Sequence, residues 1–125
     1  MNKLNINPKG IKAGDCVIRA IAVTTEQTWD KVYADLCEIG FKMKRMPNEK
    51  SVYEKYLNNL GWIKHKQPRT ILNSKLTILE FIEYQIERKA IISVANHLTC
   101  VDNFELIDTW DCSHKCISNY WTKED

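Results

Sequence analysis

The run from Cys16 to Val23, CVIRAIAV, is apolar nearly all round, with Arg19 as its single charge. A helix with no polar face belongs inside a domain, so the rest of the chain has to cover it. Asp15, directly before the run, reads as its N-cap, with the carboxylate accepting from the amide near Ile18. Thr24 or Thr25 opens a second helix, with Trp29, Val32, Tyr33 and Leu36 at helical spacing and Gly40 as its stop. Pro47 and Asn48 introduce a third, carrying Val52, Tyr53, Tyr56, Leu57 and Leu60 on one side and ending at Gly61. Thr77-Ile78-Leu79-Glu80 is a capping box that opens a fourth helix through about Arg88.

From Ala90 the texture changes. Residues 90–95, 97–101 and 104–108 read as short strands, the last two joined by a tight Asp102-Asn103 turn. Trp62-Ile63 starts a further short strand, which Gln67-Pro68-Arg69 breaks. Residues 1–13, polar and containing Pro8 and Gly10, read as an extended arm or loop. Helices first and an antiparallel sheet later make the fold class α+β.

At 125 residues the chain is expected to form one domain, 1–125. The opening MNKLNINPKG has no apolar run, and no stretch of 18 apolar residues occurs, so the expectation is a cytoplasmic protein with no membrane span. Five cysteines, an odd number, then read as reduced thiols rather than a disulfide framework. A net charge of +2 and the lack of any reader motif argue against a nucleic-acid partner. The cationic residues from Lys42 to Lys50, with Lys64, Lys66 and Arg69, read as solvated helix ends and loops, and His65 between two lysines reads as exposed.

Register carries the functional reading. With Asp102-Asn103 as a two-residue turn, Val101 faces Phe104 and His97 faces Asp108, on one face and with Cβ atoms about 4.5–5.5 Å apart. A carboxylate there holds an imidazole in one tautomer. Cys16, at a helix start, has its thiolate favoured by free amides and by the helix dipole, and its own amide is free to bind an oxyanion. Arg19, one turn on, adds charge of the helpful sign. A thiol, an imidazole and a carboxylate are the parts of a cysteine nucleophile.

Gly14-Asp15-Cys16 opening a buried helix, a strand-borne His97, and then Asp108-Thr109-Trp110 together resemble a compact papain-like cysteine peptidase. The nearest likeness is to bacterial and phage domains similar to the peptidases that remove double-glycine leaders. The resemblance implies Cys16 as nucleophile, His97 as general base and acid, Asp108 as the orienting group and Trp110 as a shielding aromatic. It further implies a peptide or protein substrate, a thioester intermediate and no cofactor or metal. Papain-like enzymes carry a glutamine shortly before the cysteine to complete the oxyanion hole. Gly10 occupies that place here, so Asn7, Asn5 and Lys12 become the candidates for the second donor.

Three other readings compete. Cys112-x-His114-x-Cys116, joined by Cys100 or Cys37, offers zinc-type ligands at a spacing unlike a finger or ribbon. A papain-like fold kept as an inactive binding module would need no working nucleophile. A cell-wall-type enzyme would use a Cys–His–His arrangement, against which Asp108 stands. Trp29, Trp62 and Trp121 read as core.

Overall fold

A computed structural model describes residues 1–124. Its elements are β1 (Asn2–Lys3), α1 (Cys16–Thr25), α2 (Trp29–Met43), α3 (Lys50–Asn59), β2 (Ile63–His65), α4 (Ile78–Glu83), β3 (Ala90–Val94), β4 (His97–Asp102), β5 (Glu105–Asp108) and β6 (Asn119–Thr122). The fold is α+β. The six strands form one sheet in the order β1-β5-β4-β3-β6-β2. All neighbours are antiparallel except β1, which runs parallel to β5 with Asn2 opposite Ile107 and Lys3 opposite Asp108.

Two apolar clusters cover the sheet. One joins α1, α2 and α3 to Ile91, Leu98, Cys100 and Trp121. The other joins α4 and Leu76, Cys112 and Ile117 to Ala90, Ile92, Val94, Val101 and Leu106. Alternate residues of β3 thus fall into opposite clusters, which is why the whole strand is buried.

Several element boundaries differ from expectation. The N-terminal arm and the tail both enter the sheet, so it is mixed rather than purely C-terminal and antiparallel. Thr24 and Thr25 do not start a helix. Their hydroxyls donate back to the carbonyls of Ala20 and Ile21, keeping them within α1, and Thr28 caps α2 by accepting from the Lys31 amide at 3.1 Å. The fourth helix keeps its capping box but stops at Glu83, because Gln85 turns to a φ of 51° and the chain swings towards β3. Asp15 stands at the N-cap of α1 but makes no capping bond with its side chain. His65 is half-buried, stacked on Tyr120 with ring centroids 4.6 Å apart and bonded to Thr122 Oγ1 at 2.6 Å.

Gly40 is buried inside α2, which continues to Met43 and ends at Lys44 in the left-handed region. The glycine is there for space, since a Cβ would lie 2.6 Å from the carbonyl oxygen of Arg45, where the chain folds back over the helix. Gly40→Ala is therefore expected to lower the unfolding free energy by about 1–3 kcal/mol, read as an earlier midpoint in urea with an unchanged slope.

Candidate active site

The β4–β5 hairpin turns at Asn103-Phe104, both at positive φ (53° and 59°), one residue later than expected. Asp102 pairs with Glu105, Val101 with Leu106 and Cys100 with Ile107. Continued past the strand ends, this register puts Thr99 opposite Asp108 and His97 opposite Trp110, so the expected direct His97–Asp108 pairing is displaced by two residues. The apolar match of Val101 with Leu106, both buried, accompanies the shift, and the Phe104 amide donates to the Arg88 carbonyl at 3.0 Å. A two-residue slip keeps each side chain on its face, and diagonal neighbours remain within reach of long side chains. His97 Nε2 accordingly meets Asp108 Oδ2 at 2.7 Å, and the rings of His97 and Trp110 lie 5.1 Å apart at 49°.

Both oxygens of the buried Asp108 carboxylate are engaged. Oδ1 accepts from Arg19 Nη1 at 3.0 Å and from the Thr109 amide at 2.6 Å. Oδ2 takes His97 and, at 3.7 Å, the Cys112 thiol. Burial pushes the Asp108 carboxyl up, but its bond with His97 and those from its other partners hold it well below the usual carboxylate range. Burial likewise pulls His97 down, and bonding to Asp108, Cys112 and Cys16 reverses this, raising the imidazolium to about 11.

Cys16 is half-buried at the start of α1. With Nε2 committed to Asp108, the imidazole has Nδ1 left for the thiol. Burial raises the Cys16 thiol, but the hydrogen bond from His97, the Leu98 amide and the positive charges of His97 and Arg19 bring it below its ordinary value. The pair is thus biased towards thiolate and imidazolium.

Asp15 does other work than capping. Its Oδ1 accepts from Arg19 Nε at 2.8 Å, and its Oδ2 accepts from Asn7 Nδ2 at 3.0 Å and Trp29 Nε1 at 2.8 Å. Sequence reasoning missed Arg19 as the link between Asp15 and Asp108. The available cue was a lone charge on an otherwise apolar buried helix, which must find counter-charges. Cys112 was also missed in this role, and no local pattern marks it.

A groove of about 370 Å³ opens beside Cys16 and His97, walled by Val17, Val94 and Leu98 and edged by the polar residues Asn48, Lys50, Tyr53, Ser93 and Asn96. The three expected oxyanion donors lie elsewhere. Asn7 is buried and serves Asp15 and the Lys9 amide. Asn5 donates to the Ile11 carbonyl, and Asn5 and Lys12 line a separate cleft with Gly14, Thr109 and Trp110.

The five cysteines are all free. Cys112 is buried while His114 and Cys116 are exposed, and Cys112 groups with His97 and Asp108, their ligand atoms lying within 4.8 Å of one another. Those are three donors of a kind that could hold a metal, but the Arg19 guanidinium on Asp108 opposes a cation there. Among the described residues, no helix is long and apolar enough to cross a membrane. Compared with family models, curated proteins and solved structures, the chain matches none.

The sign of the pH dependence follows from the two shifts. Asp108, lowered from 3.8, contributes stability that is present above that value and lost as the pH falls. His97, raised from 6.5 to about 11, contributes stability that is complete below 6.5 and lost as the pH rises through 11. In urea unfolding, wild type should exceed Asp108→Asn by the largest margin, about 3 kcal/mol or more, between about pH 4 and 6.5. The margin should shrink on both sides of that window.

Proposed function

We propose that this protein is a papain-like cysteine hydrolase acting on a peptide, isopeptide or related amide bond. The observation that carries the reading is the connected line from Cys16 through His97 to Asp108, assembled from the start of one helix and two neighbouring strands. In this mechanism Cys16 Sγ attacks the carbonyl carbon as the thiolate, its proton already passed to His97. The oxyanion that forms is met by the free amide of Cys16. Collapse of the tetrahedral intermediate breaks the C–N bond as His97 protonates the leaving amine, and a thioester remains. Water, deprotonated by His97, then attacks the thioester and regenerates the thiol. Asp108 holds the imidazole by Nε2 throughout, and Arg19 holds Asp108. Trp110, 40% exposed, covers the His97 side of this pair.

One observation favours a second reading, a binding module with an idle triad. None of Asn5, Asn7 and Lys12 lines the groove that holds Cys16, so the usual side-chain donor to the oxyanion has no occupant among them. Such a module would bind its partner undiminished as Cys16→Ala.

Limiting iodoacetamide at pH 6, with the adduct located by mass spectrometry, separates the two. The hydrolase reading expects selective labelling of Cys16 and at least about a tenfold slower reaction in His97→Ala. Labelling of Cys16 no faster than of exposed Cys116, unchanged by His97→Ala, would leave the binding module.

A further inference from the structure

Beside the nucleophile, the groove presents positive charge and hydrogen-bond donors without a carboxylate on its rim. Lys50 and His97 are its two cationic residues, and Asn48, Asn96, Ser93 and Tyr53 supply neutral polar groups. The Lys50 ammonium is held in place from below. Nζ donates to Asn119 Oδ1 at 2.8 Å and lies 5.8 Å from the centre of the Trp121 ring. Among the described residues no carboxylate forms an ion pair with it. Lys31, Lys42 and Lys64, by contrast, each pair with a neighbouring acid.

Two further features sit around Lys50. Asn119 is only 6% exposed, yet its Nδ2 has no hydrogen-bond partner. Lys50 is also the first residue of α3, and the carboxylate of its N-cap Glu49 lies 3.9 Å from Arg45 Nε and does not line the groove. An ammonium held by a neutral amide, in a groove with no carboxylate among its lining residues, is complementary to an anionic oxygen group.

Resting on the hydrolase reading, we propose that the substrate carries a carboxylate, as in an aspartyl or glutamyl residue, close to the bond that Cys16 attacks, and that Lys50 is the residue that selects it. The acidic group would replace water on the ammonium and leave the Lys50–Asn119 bond intact. Lys50 then determines specificity and takes no part in the proton transfers.

The test uses peptidyl chloromethyl ketones, in which the thiolate displaces chloride to form a thioether. Two pairs suffice, acetyl-Glu-Gly against acetyl-Gln-Gly and acetyl-Gly-Glu against acetyl-Gly-Gln, with rates of Cys16 labelling measured in wild type, Lys50→Met and Lys89→Met. Lys89 precedes β3 at the end opposite the groove and controls for net charge. In at least one pair the Glu probe should label wild type and Lys89→Met about fivefold faster than its Gln partner, and Lys50→Met should bring that ratio to about one. Iodoacetamide labelling of Cys16 should persist in all three proteins. A Glu/Gln ratio of one in wild type, or a preference that survives in Lys50→Met, overturns the proposal while iodoacetamide still labels Cys16. No labelling by any ketone with iodoacetamide reactivity intact overturns it as well. A Cys16 inert to iodoacetamide overturns the hydrolase reading itself, and this inference with it.

Discussion

The guanidinium of Arg19 is the tie on which the rest of the arrangement depends. It is the one charge on the buried helix, and it spans two buried carboxylates, Asp15 at 2.8 Å and Asp108 at 3.0 Å. Asp15 stands next to Cys16 and gathers Asn7 and Trp29, so it joins the N-terminal segment and α2 to the start of α1. Asp108 closes β5 and holds His97. One side chain therefore relates the helix that bears the thiol to the hairpin that bears the imidazole. Without it, two carboxylates would face one another in a poorly solvated space, a far costlier state than the neutralised network.

Charge balance then reaches the thiol. Asp15 and Asp108 carry two negative charges, which Arg19 and the His97 imidazolium offset. The Cys16 thiolate adds a third negative charge near that network, stabilised by the same two cations and by the Leu98 amide. Lys50 reaches the same groove from α3, outside the elements that bear Cys16, His97 and Asp108. The site is thus built from three helices and a hairpin, and its electrostatics are shared rather than local.

The sequence was most legible where chemistry is local and periodic. The capping box at Thr77 and the apolar helix from Cys16 came through, because each is a short-range pattern with one good structural outcome. Helix ends were read less well. Thr24 and Thr25 bond back within their own helix, and Gly40 answers a steric demand from Arg45 that no neighbour in sequence announces. At the site, the His97–Asp108 contact was legible despite a wrong turn, because the side-chain period of a strand is two and a slip of two preserves the face. Phe104 in the left-handed region hid the true turn, since bulky residues rarely adopt it. The oxyanion donors and Cys112 were not legible. Their placement depends on how the N-terminal loop and the segment after β5 drape over finished elements, and pattern does not encode that.

β6 lies between β3 and β2 although it is formed by residues 119–122. Until those residues join, β2 has no partner and one flank of β3 is open. Trp121, which packs edge-on against Tyr53 and is nearly fully buried, is missing from the core for as long. At the other edge, β1 closes on β5, and the Leu4 amide donates to the carbonyl oxygen of Asp108. Early and late segments thus interlock across the sheet, so a chain emerging from the ribosome carries Cys16 long before His97 and Asp108 are in place beside it. Synthesis itself sets the order in which the site is assembled, and the long-range pairings that impose that order also slow folding.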